Sequence, residues 1–238
     1  EIRSRRACLT ATEKAVEMAR RSGTRLHVCH ISTADELSLF TPGDVASKRI
    51  TAETAPHYLF FDSNDYALLG ARIKCNPAVK ECSDKIALLR ALENGLIDTI
   101  ATDHAPHLLK SKQGGALKAA SGMPGIEFAL PLMLELADEN PSLTEERIVT
   151  AMCHNPAIIF RIRNRGFIRP GYYADITVVA EHKTKIADED VTSKCGWTPL
   201  AGFTMRRMPV MTIVNGTITM RDRRLTGDSN PHPLKFNT

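Results

Sequence analysis

Three apolar runs in this sequence end in the same manner, and that recurrence narrows the possible folds more than any other feature. "RLHVCHIST" passes through His30, "KRITAETAPHYLFF" through His57, and "LIDTIATDHAPH" through Asp103 to His107. Helical patterns precede the first and last of them. "TATEKAVEMARRSG" has capping-box spacing at Thr10 and Glu13, with Gly23 where a C′ glycine belongs. "SDKIALLRALENG" predicts a helix with Ser83 as N-cap, Ile86 and Leu89 on its apolar face, and Gly95 closing it. A further run, "ARIKCNPAV", predicts a strand ending at Asn76-Pro77. Strand, polar ending, helix and strand again is the rhythm of βα units on a parallel sheet. In a closed (β/α) barrel, functional residues gather at the C-terminal ends of the strands.

The rhythm changes after residue 123. "GIEFALPLMLELADEN" and "TEERIVTAMCHNPAIIF" predict helices, and "GYYADITVVA" predicts a strand. "MTIVNGTITM" predicts a hairpin, because Asn215-Gly216 between alternating apolar residues suits a type I′ turn. The expected fold class is α/β, with residues 1–165 as barrel and residues 166–238 as a β-rich segment. There is no solenoid repeat and no low-complexity tract.

Composition removes several function classes. Of 238 residues, 43% are hydrophobic and 24% charged, which is enough for a sizeable core. The net charge of +4 is spread along the chain, and the basic groups at Arg3, Arg5, Arg6 and at Arg221, Arg223, Arg224 lack interleaved aromatics. They read as solvated surface, not as a nucleic-acid patch. No apolar run reaches the ~18 residues of a membrane span, and no signal peptide is visible. Six cysteines without a CxxC pair read as free thiols in a reducing compartment, so a cytoplasmic location is expected.

His30, His57, Asn76, Asp103 and His107 are the residues that could carry chemistry. Parity puts His30 on the side of Leu26 and Val28, and Asp103 on the side of Thr99 and Ala101, small residues that leave room for a site. Two imidazoles and a carboxylate suit Zn²⁺. Singly, each has a plainer reading: a hydrogen-bonded histidine, an Asn-Pro turn, or a capping aspartate. Their recurrence at successive strand ends favours a site.

"LHVCHIST", "TAPHYLFF", "KCNPAV", "ATDHAPH" and "SGMPGIEFALPLML" together resemble consecutive signatures of the dihydroorotases, in the cyclic amidohydrolase superfamily. The likeness extends through "NPAIIF", "GYYADITVV" and the terminal hairpin. It implies the C-terminal half of a metal-dependent (β/α)8 barrel, strands five to eight, plus part of a composite β domain. It implies His30, His57 and Asp103 as ligands of one or two zinc ions, and Asn76, His107, Ser121 and Gly122 as substrate-binding residues. Asp103 would also carry the catalytic proton, from an activated water to the leaving ring nitrogen. The implied reaction is reversible hydrolysis of dihydroorotate to N-carbamoyl-L-aspartate, a step of pyrimidine synthesis. A hydantoinase, dihydropyrimidinase or allantoinase, or a non-catalytic dihydroorotase-like subunit, are the alternatives. His104 has no role in this scheme beyond structure, and Cys29 reads as packing. The superfamily's His-x-His pair occurs nowhere in the 238 residues, and its strand-four ligand cannot be placed. The expected partners are therefore a small-molecule substrate and a preceding N-terminal half, with a homodimer as a further option.

Overall fold

The structure, a computed structural model, describes residues 3–237. Helix α1 (Arg5–Ser22) opens it. Its N-cap is Ser4, whose hydroxyl accepts from the Ala7 amide at 3.2 Å, so the predicted cap at Thr10 is a full turn or more inside the helix. Gly23 closes it at φ 68, as the sequence predicts.

Strands β1 (Leu26–Val28), β2 (Ile50–Thr54) and β3 (Thr99–Ile100) form a parallel sheet in that order. Leu26 pairs with Ile50 and Glu53 with Thr99. Leu26, Val28, Ile50, Ala52 and Ile100 pack into the core, while His27, Thr51, Glu53 and Thr99 bond to one another on the opposite face.

The predicted strand "ARIKCNPAV" does not form. Gly70–Ile73 is a 3₁₀ turn, and the Lys74 carbonyl accepts from the Gly122 amide and the Lys112 ammonium, both at 2.9 Å, instead of from a sheet neighbour. β2 therefore pairs directly with β3, and the described residues hold three parallel strands where four were expected.

Pro56 starts α2 (Pro56–Phe60), where its missing N–H costs nothing. Helix α3 (Cys82–Glu93) is capped reciprocally by Glu81 and Asp84, not by Ser83. Its buried face is Leu88, Leu89, Ala91 and Leu92; Ile86, predicted to join it, is 44% exposed. Further on come α4 (Ala129–Glu139) and α5 (Glu145–Val149), the latter running through a wide π turn into α6 (Asn155–Ile159).

Strands β4 (Ile176–Lys185), β5 (Thr204–Val214), β6 (Thr217–Arg221) and β7 (Arg224–Leu225) form an antiparallel sheet. The hairpin turns at Asn215 (φ 50) and Gly216 (φ 80), the left-handed pair of a type I′ turn. The core does not break at residue 165: Ile186, Trp197, Leu200 and Met205 belong to the same cluster as Val16, Ile31 and Leu59. No helix among the described residues is long and apolar enough to cross a membrane.

Candidate functional site

β1 ends at Val28, and two residues later His30 takes φ 45. β3 ends at Ile100, and Asp103 takes φ 46. Left-handed backbone is uncommon away from glycine and marks a re-aimed side chain. Strand parity therefore does not carry through to His30 or Asp103, contrary to its use above. The chain after His30 is fixed by its neighbours. The Ile31 amide donates to the Glu53 carbonyl at 2.7 Å, and the Thr54 hydroxyl donates to the Ile31 carbonyl at 2.9 Å. Buried Glu36 accepts from the Thr33 amide and hydroxyl, at 3.2 and 2.8 Å.

The Asp103 carboxyl responds to three influences. Partial burial pushes the Asp103 carboxyl above its ordinary range; His30 pulls it down and Glu53 pushes it up. Burial lowers His57 to about 3, with a smaller contribution from His30. His57 is more deeply buried than the other two. It lies on the first turn of α2, 5% exposed, and helps line a small pocket with Phe61, Met123, Phe128 and Leu132. Its Nε2 is buried without a hydrogen-bond partner.

One trio among the described residues brings its ligand atoms within 4.8 Å of one another: His27, Cys29 and Glu53, not the predicted His30, His57 and Asp103. His27 Nδ1 lies 2.8 Å from the Thr51 hydroxyl and its Nε2 lies 3.1 Å from Glu53. The Thr99 hydroxyl also donates to Glu53, at 3.3 Å. Cys29 is exposed, so the packing role expected of it does not hold; burial of its sulfur and the Glu53 carboxylate raise its thiol pKa, which disfavours a nucleophilic thiolate. Imidazole, thiol and carboxylate at this spacing form a donor set that fits zinc. The available signal was Glu53, a lone carboxylate inside a strand of small and apolar residues.

The loops around this centre hold the remaining predicted residues. Asn76 is exposed, at the end of the segment that replaces the expected strand. His107 is exposed, and its Nε2 lies 3.0 Å from the Ser121 carbonyl. A carbonyl only accepts, so Nε2 carries a hydrogen and Nδ1 is the nitrogen left for a ligand. Gly122 is already engaged: its amide donates to Lys74 at 2.9 Å and its carbonyl accepts from Lys112 at 2.5 Å. At φ 118, a Cβ on Gly122 would collide with the Ala105 Cβ at 2.4 Å, with the His107 ring at ordinary contact distance. Gly122→Ala should therefore cost about 1–3 kcal/mol, read as a lower melting temperature. An unchanged melting temperature would mean that the loop has room to move. His104 Nδ1 accepts from the amides of Gly125 and Ile126, at 3.1 and 3.3 Å. A cavity of about 1000 Å³ lies elsewhere, beside the antiparallel sheet, lined by Glu127, His182, Asp190 and Arg223 among others.

The chain with this sheet, and with histidine and aspartate just past its strand ends, belongs to the amidohydrolase family, whose model matches residues 3–219. Within it, the chain is similar to dihydroorotases. It is 38% identical to that of Methanosphaera stadtmanae and 36% identical to that of Halobacterium salinarum, over 92% and 87% of its own length. It spans about half the length of these curated relatives, 50% and 48%. Among solved structures it is similar to the L-hydantoinase (dihydropyrimidinase) of Arthrobacter aurescens, with a TM-score of 0.84 and 29% identity, over 91% of this chain and 49% of that one. A D-hydantoinase from Thermus sp., 20% identical with a TM-score of 0.81 over 91% of this chain and 49% of that one, shares the fold.

Proposed function

We propose that this chain forms the His30–Asp103 side of a dihydroorotase active site, in a protein that interconverts dihydroorotate and N-carbamoyl-L-aspartate for pyrimidine synthesis. The observation that carries this reading is that His30 and Asp103 both turn left-handed just past the ends of strands in one parallel sheet, with His30 close enough to lower the Asp103 carboxyl. The identity to dihydroorotases exceeds that to the hydantoinase structure, 38% against 29%, which favours dihydroorotate as substrate. The structural likeness supports hydantoin hydrolysis as the second reading.

We assign residues 1–165 to the barrel and residues 166–238 to the composite β domain. If β3 is the barrel's last strand, the direct β1-β2-β3 neighbourhood makes β1 the sixth and β2 the seventh. The first five strands of the barrel then belong to another part of the protein.

His30 and Asp103 would hold zinc at the strand ends, and His27, Cys29 and Glu53 offer a second donor set beside them. When bound, zinc supplies a water acidic enough to lose its proton near neutral pH and polarises the ring carbonyl. The chain's own residues do the rest. Asp103 takes a proton on its carboxylate and returns it to the leaving ring nitrogen, helped by an environment that raises its proton affinity. His107 meets the substrate carboxylate through Nδ1, and Asn76 and Ser121 hold the ring.

Turnover of dihydroorotate against hydantoin by the full-length protein tests the substrate. His107→Ala tests the roles. Metal content stays at the wild-type level and KM for dihydroorotate rises about 10- to 100-fold. Loss of zinc would make His107 a ligand, and a lower melting temperature with unchanged KM would make it a packing residue.

A further inference from the structure

Lys112 sits in "KSKQ", a run that reads as solvated surface, yet it is only 5% exposed. Lysines are almost never buried unless something answers their charge. Here no carboxylate does. The ammonium donates to three main-chain carbonyls: Lys74 at 2.9 Å, Ala120 at 2.8 Å and Gly122 at 2.5 Å. An ammonium has three hydrogens, so its donors are used up. It also lies 5.8 Å from the centre of the Trp197 ring.

The three carbonyls belong to two loops far apart in sequence. Lys74 stands two residues before Asn76, and Ala120 and Gly122 flank Ser121. A direct bond from the Gly122 amide to the same Lys74 carbonyl, at 2.9 Å, joins the loops beside the ammonium. Lys112 itself ends the 3₁₀ turn Leu109–Lys112 that follows His107. One buried charge therefore gathers the segments carrying Asn76, His107 and Ser121. Burial pushes the lysine pKa down to about 8, the mark of a charge held at a cost. A methionine would fill the same volume but leave the Ala120 and Gly122 carbonyls without this donor, so what the ammonium adds is the tie between the two loops.

We infer that Lys112 is a positioning residue for substrate: its ammonium fixes the 74–76 and 120–122 loops against each other so that their ring-binding groups stand ready. The inference rests on the cyclic-amide reading given above. Its test is Lys112→Met and Lys112→Gln in the full-length, zinc-loaded protein, with kcat, KM, metal content and melting temperature measured for each. The expected result for Lys112→Met is a KM for dihydroorotate raised by about 10-fold or more, with metal content unchanged. Lys112→Gln restores two donors and should fall between Lys112→Met and wild type. If Lys112→Met does not accumulate folded, Lys112→Gln carries the same comparison, read as raised KM together with faster hydrogen exchange at the Gly122 amide. A lowered melting temperature with unchanged KM overturns the inference and leaves Lys112 as a brace. If the wild-type protein hydrolyses hydantoin but not dihydroorotate, the same KM comparison is decided on hydantoin. A wild-type protein inert to every cyclic amide overturns the functional reading, and this inference falls with it.

Discussion

Asp103→Asn in the full-length protein should lower kcat by at least ~10²-fold, the scale of losing a general acid–base group. The substitution removes a carboxylate proposed both to move the proton and to hold zinc, so zinc content is measured beside kcat, and the proton role is read from variant protein that retains its metal. Asparagine has the same shape, and it tolerates the left-handed backbone that Asp103 adopts at φ 46, so the strand end keeps its conformation. The lost feature is a carboxylate that partial burial and Glu53 make more willing to hold a proton. Circular dichroism and melting temperature should stay close to wild type. Turnover near the wild-type rate would mean that another group carries the proton.

The second large effect is on acid stability and comes from His57. Its imidazole titrates at about 3 in the folded protein, well below the ordinary value of 6.5. Between those values the unfolded chain binds a proton that the folded chain refuses. Stability is therefore fully present above about pH 6.5 and falls as pH drops towards 3, by up to ~1.4 kcal/mol per pH unit from this one group. His57→Phe keeps a ring beside Phe61 and Phe128 and removes the titration. Urea unfolding at several pH values between 4 and 7 should show a flatter dependence for the variant. An equally steep dependence would place the proton uptake elsewhere. Zinc content of the same variant tests the ligand role that the sequence suggested for His57: retained metal leaves His57 in the helix layer, and lost metal makes it a ligand.

The sequence was most legible where one local rule acts alone. Gly23 ends α1, Asn215-Gly216 turns the hairpin, and the apolar alternation marks β1 and β2. It misled where two rules compete. "ARIKCNPAV" alternates like a strand, but the carbonyl of Lys74 is captured by a buried ammonium and a loop amide, and no sheet neighbour remains. Ser83 looks like an N-cap, but the helix starts two residues earlier, where Glu81 and Asp84 cap it reciprocally. Parity was a sound guide inside the strands and failed two residues beyond β1, where His30 leaves the extended conformation. Glu53 and Lys112 were passed over for opposite reasons: a carboxylate within a strand and a lysine in a polar run both resemble surface until their partners are seen.

Trp197 ties these loops to the far end of the chain. Its indole is 0% exposed and donates to the His107 carbonyl at 2.7 Å, while Arg72 lies over its ring at 5.2 Å and pairs with Asp188 at 2.6 Å. His107 is itself exposed and sits on no helix or strand. Whatever persistence its loop has against local opening is borrowed from a tryptophan ninety residues later. Fraying of the Asp188–Leu200 segment would thus loosen the His107 loop before it disturbed the parallel sheet. The C-terminal segment, which contributes none of the proposed catalytic groups, holds the backbone of the His107 loop in place.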